Sequence, residues 1–139
     1  MIYENILNAL SFLEEHKDVS PDMLRRDREL LGSILWYLYV AIQGAIDLGL
    51  KVISRLKLET PESYIDVFRI LRDAGIIPEN LAQELIRMAK FRHILAHIYF
   101  KLDYSMICEI IRGRLTDIRR YLDIIANTLG EKGIQIDEL

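Results

Sequence analysis

Arg92, His97 and Tyr99 follow one another in the spacing R-x4-H-x-Y. A guanidinium keeps its charge at any physiological pH and offers phosphate oxygens a planar fork of donors. An imidazole, with an ordinary pKa of ~6.5, moves protons at neutral pH. Together they are the minimum set for breaking a phosphodiester without a metal. The arginine offsets the extra negative charge of a five-coordinate transition state while the histidine takes the proton from an RNA 2′-hydroxyl. The competing reading of the same residues is a surface arginine, a histidine packed between helices and a tyrosine buried up to its hydroxyl.

The stretch from Leu85 to Leu102, LIRMAKFRHILAHIYFKL, also holds Arg87, Lys90 and Lys101 and contains no acid. In a chain of formal charge −3, this is a local positive field able to attract phosphate. Arg87, Lys90 and Lys101 are its candidate RNA phosphate contacts; a solvated basic face is the alternative. His93 and His97 are neighbours on a helix and can bite a metal, but the zinc-hydrolase pattern needs Glu after the first histidine, and Ile94 stands there. With no third ligand nearby, no metal and no cofactor is expected. His93 is either a supporting residue or structural. Asp47, an acid on a mostly apolar helix, either orients His97 or Arg92 or marks the end of a buried stripe.

Five residues at ~100° each put Arg92 and His97 ~140° apart around an ideal helix. They do not share a face. Either the long arginine curls back, or the helix is irregular there, or two chains set their motifs around one shared cleft. The last option suits transesterification, which needs a base for the nucleophile and an acid for the leaving group; two copies of His97 would supply both.

Helices must position these residues. Apolar side chains recur with helical spacing nearly throughout, and no run alternates with period two for long enough to be a strand. Ile2, Ile6, Leu10 and Leu13 form a first stripe. Ser20-Pro21-Asp22 is a start signal for a long second helix through Leu31, Leu38, Ala45 and Val52 to about residue 58. Thr60-Pro61-Glu62 repeats that signal before a short third helix that Gly75 ends in a left-handed cap. Pro78 opens a fourth, reaching about Lys101, and Asp103 caps a fifth that carries Ile107 to Leu129. The expected fold is all-α, an up-and-down bundle of four to five helices in one domain over residues 1–130, with 131–139 a frayed tail. Trp36, Tyr37, Tyr39 and Val40 lie partly off the core stripe of the second helix, a surplus apolar face that predicts a symmetric homodimer; the competing reading is that two neighbouring helices of the same chain cover it.

Composition bounds the rest. At 139 residues there is room for one domain, and 51% apolar with 28% charged residues excludes a disordered chain. Cys108 is the sole cysteine and the first residues lack a secretory pattern, so an intracellular location is expected. The longest charge-free run, Leu30 to Ile46, is interrupted by Gly32, Ser33, Gln43 and Gly44. It is marginal for crossing a bilayer and reads as a buried helix, with no membrane partner.

The string FRHILAHIY resembles the signature of HepT-type toxins, a branch of the HEPN superfamily of small all-α proteins, with His93 where that superfamily has a polar residue after the arginine. AIDLGLKVI, PESYIDVF, LRDAGII and YFKLDY are similar to family segments in the same order, so the likeness spans about residues 1–130. It implies a homodimeric, metal-independent endoribonuclease, prokaryotic and cytoplasmic, acting as the toxin of a toxin-antitoxin pair. The partner it implies is a minimal nucleotidyltransferase antitoxin, in a complex that can be larger than the dimer. The family's catalytic Arg and His carry over to Arg92 and His97, and the tyrosine to which the antitoxin attaches AMP carries over to Tyr99. AMP there would put negative phosphate and a bulky nucleoside beside a cleft built for RNA phosphate. The alternative is a non-catalytic helical module that binds nucleotide or docks a nucleotidyltransferase.

Overall fold

A computed structural model describes residues 1–97 and 102–139, except for the side chains of 96 and 97. Seven α-helices and no strand occur among the described residues: α1 (Ile2–Glu15), α2 (Pro21–Arg26), α3 (Arg28–Arg55), α4 (Asp66–Asp73), α5 (Glu79–His97), α6 (Tyr104–Gly113) and α7 (Leu115–Glu131). The caps act as their chemistry dictates. Ser20 accepts from the Met23 amide at 3.2 Å with Pro21 in the first turn, and Asp103 accepts from Met106 at 3.1 Å. Gly75, at φ +76°, closes α4 through an Ile76 amide bond to the Leu71 carbonyl of 2.9 Å.

Three boundaries differ from expectation, and two of them split an expected helix, which is why seven helices replace four or five. Asp27 is extended and caps the Leu30 amide at 3.0 Å, separating α2 from α3. Its side chain offers the backbone a local alternative to a continuous helix. The expected fifth helix breaks at Arg114 between α6 and α7, so that α6 packs on α2 and α1 while α7 packs on α5, α3 and α1. Apolar residues keep their three-to-four spacing through that break, which hides it in the sequence. α4 begins at Asp66, not Pro61, because the Asp66 carboxylate accepts from the Glu62 amide at 3.0 Å and holds residues 62–65 in a turn.

Helix α3 is the central element, burying Ile34, Leu38, Ala41, Ile42, Ala45, Ile46, Leu48, Val52 and Ile53. It is also long and apolar enough to cross a membrane, but it packs on α1, α2, α4, α5 and α7. Gly44 lies against Ile6, while the Phe12 ring packs tilted against Tyr37 at 4.3 Å, so α1 runs antiparallel to α3. Gly49 permits the closest approach. A Cβ there would sit 2.4 Å from Val67 Cγ1 and 2.9 Å from the Tyr121 hydroxyl. That hydroxyl, fully buried, donates to the Ala45 carbonyl at 2.8 Å, and burial pushes its pKa up.

Arg119 of α7 clasps Glu14 of α1 through two bonds of 2.6 Å and holds that carboxyl below its ordinary range. Beyond α7 the residues expected to fray turn back at Gly133 (φ +74°) into a short 3-10 turn, Ile136–Glu138. It touches α1 and α7, with Ile134, Ile136 and Leu139 packed on the core.

Candidate functional site

The site is built where α5 crosses α3. Tyr39, Gln43 and Asp47 are spaced four apart on α3, so they stack on one face of it. Arg92 reaches them from α5. Its Nε donates to Gln43 Oε1 at 2.7 Å and Nη2 to the Tyr39 hydroxyl at 3.4 Å. Gln43 Nε2 donates in turn to Asp47 Oδ1 at 2.9 Å. The guanidinium carbon lies 5.3 Å from the Tyr39 ring and 5.5 Å from that of Tyr64, within the range of cation–π attraction. Tyr64 owes its place to the turn before α4.

Arg92 is partly buried, yet among the described residues no carboxylate pairs with it. The contrast is with Arg87 and Arg114, both paired with Glu84, and with Arg119, paired with Glu14. Its charge is therefore left for an incoming anion, and its Nη1 carries no hydrogen bond among the described residues. Beside it, Ile2, Asn5, Tyr39, Val40, Gln43, Gly44 and Asp47 line a cleft of about 200 Å³. The arrangement can hold a phosphate oxygen on a guanidinium whose plane is already fixed.

Of the residues singled out from the sequence, Arg92 and Asp47 are brought together, through Gln43. Arg87 and Lys90 stand ~140° and ~160° around α5 from Arg92, so the basic cluster is not one face. Arg87 borders a separate cleft with Glu84, Phe91, Met106 and Arg114; Lys90 and His93 are exposed. Tyr99 and Lys101 lie outside the described residues, as does the His97 side chain. The α5 backbone is unbroken through His97, which removes helix irregularity between 92 and 97 as a way of joining the two positions. No cluster of three His, Cys, Asp or Glu able to hold a metal occurs among the described residues. Gln43, Tyr39 and Tyr64 were not read as site residues. The signal for Gln43 was its pairing with Asp47 at helical spacing on an otherwise apolar helix.

Residues 6–125 match the family described as Ribonuclease HepT-like. The chain belongs to that family. This HepT-like chain is 25% identical over 101 residues to an mRNA nuclease HepT of Shewanella oneidensis, covering 73% of the chain and 76% of the relative. It is also 25% identical over 126 residues to a protein of Archaeoglobus fulgidus named as an RNase, covering 91% and 94%. A solved structure of the tri-AMPylated Shewanella oneidensis HEPN toxin in complex with an MNT antitoxin superposes with a TM-score of 0.77 at 21% identity, over 89% of this chain and 96% of that one. At that identity the likeness establishes the HEPN fold, and the HepT-like match embraces every helix that builds the Arg92 site.

Proposed function

We propose that this HepT-like chain is a metal-independent endoribonuclease and the toxin of a toxin-antitoxin pair, working in the cytoplasm as a homodimer. The observation that carries the reading is the Arg92 guanidinium, partly buried, oriented by an uncharged partner and unpaired with any described carboxylate, in a chain of a ribonuclease family. In the proposed reaction His97 takes the proton from a 2′-hydroxyl and that oxygen attacks the adjacent phosphorus. Arg92 donates its outer N–H groups to the non-bridging oxygens as their charge grows. The 5′-oxygen leaves with a proton from His97 of the partner subunit, giving a 2′,3′-cyclic phosphate and a 5′-hydroxyl. Two chains around one cleft resolve the angular separation of Arg92 and His97 on α5.

A minimal nucleotidyltransferase antitoxin silences the toxin by AMP transfer, in which the Tyr99 hydroxyl attacks the α-phosphate of ATP and pyrophosphate leaves. The relative whose toxin is AMPylated in complex with its antitoxin supports this reading. The test of the ribonuclease is Arg92→Ala and His97→Ala, each expected to lower cleavage of a labelled RNA by about a hundredfold or more, with the thermal transition retained. Full activity in the His97 variant would overturn the assignment.

A further inference from the structure

We infer that Gln43 is a positioning residue: held by Asp47, its side-chain carbonyl sets the Arg92 guanidinium ready for a phosphate without neutralising it. This rests on the reading of Arg92 as the phosphate-binding group.

A glutamine amide presents a donor at one end and an acceptor at the other, and here Asp47 decides which end faces which partner. A carboxylate only accepts, so Gln43 Nε2 turns toward Asp47 Oδ1, 2.9 Å away. The carbonyl Oε1 is thereby left facing Arg92 Nε at 2.7 Å. Nε is the donor nearest the arginine stem, so this bond orients the guanidinium plane, with the longer Nη2 bond to the Tyr39 hydroxyl beside it, while Nη1 carries no hydrogen bond among the described residues. The rings of Tyr39 and Tyr64, 5.3 and 5.5 Å from the guanidinium carbon, narrow its remaining freedom.

A carboxylate at position 43 would orient Arg92 equally well but would offset its charge, as the Glu84 carboxylate does in part for Arg87 and Arg114, which share it. It would also face the like charge of Asp47. The amide separates the two tasks. Asp47 supplies a fixed anchor one side chain further from the guanidinium, and the neutral carbonyl transmits its orientation without its charge. A group held in place before the phosphate arrives need not be ordered during the reaction.

Two variants separate orientation from charge. Gln43→Met keeps length and packing but loses both hydrogen bonds. With a single-site RNA as probe it should lower kcat about tenfold to thirtyfold and leave KM within about twofold. Gln43→Glu should instead raise KM, and its kcat/KM relative to wild type should recover as pH falls and the introduced carboxylate takes up a proton. A readout needs no RNA: in ¹⁵N spectra the Arg92 Nε–H, assigned by its loss in Arg92→Lys, should exchange slowly in wild type and rapidly in Gln43→Met. An unchanged kcat in Gln43→Met, or an Arg92 signal equally protected in both proteins, would overturn the inference. A wild type that leaves RNA intact would overturn the ribonuclease reading instead, and the Arg92 signal would then decide the role of Gln43.

Discussion

Arg92 differs from the arginines around it in its partners: an amide and two phenol rings in place of a carboxylate. The R-x4-H-x-Y spacing was enough to single it out in the sequence, and Asp47 stood out as an acid among apolar residues. Gln43 and Tyr39 did not, since a lone glutamine reads as an interruption of a buried helix and a tyrosine as apolar surplus. Their roles arise only when α5 is laid across α3, a contact 49 residues apart in the chain for Gln43 and Arg92. Tyr99 carries the residue-scale test. Tyr99→Phe removes only a hydroxyl, so the variant should remain a ribonuclease and gain no AMP. Intact-mass measurement after incubation with a minimal nucleotidyltransferase and ATP should show the added mass on wild type alone. AMP on the phenylalanine variant would place the acceptor elsewhere.

At the scale of elements, the site depends on how closely α3 is seated. Gly49 sets that distance, because Val67 is a branched core side chain that cannot swing away and the Tyr121 hydroxyl is tied to the Ala45 carbonyl. Gly49→Ala should therefore cost about 1–3 kcal/mol through overpacking, despite the better helix propensity of alanine. Urea unfolding should show a lower midpoint; an unchanged midpoint would mean that α3 yields. The helices themselves were legible wherever a capping residue met an apolar stripe, by its side chain at Ser20 and Asp103 and by its backbone at Gly75. The breaks at Asp27 and Arg114 were not, because stripe periodicity continues across both and only the change of packing partner distinguishes the flanking segments. The packing of the tail was not legible for a related reason: three apolar residues after Gly133 are too few to show a period, yet enough to pack on α1 and α7.

Across the whole molecule, the all-α class followed from periodicity alone, while the proposed second subunit is argued from the surface. Trp36 is 60% exposed and stacks at 6.2 Å on Tyr39, the same ring that lies against Arg92. An aromatic pair of this kind, half in the site and half outside it, suits a surface covered by the proposed second copy. Trp36→Glu should shift the chain to monomer in analytical ultracentrifugation and lower RNA cleavage with it. Because the proposed cleft uses His97 of both chains, a dimer of one wild-type and one His97→Ala chain should be nearly inactive, so activity should fall faster than the wild-type fraction as the variant is mixed in. Activity that falls only in proportion to the wild-type chains would confine each site to one subunit.

The most direct test of the central claim is the chemistry of the RNA ends. A guanidinium and an imidazole acting on a 2′-hydroxyl must leave a 2′,3′-cyclic phosphate and a 5′-hydroxyl, in excess chelator as well as without it. Mass spectrometry of the fragments from an RNA of defined sequence, cut in the presence of EDTA, should find those ends. Fragments ending in 3′-hydroxyl and 5′-phosphate, or cleavage that waits for an added divalent metal, would contradict the account.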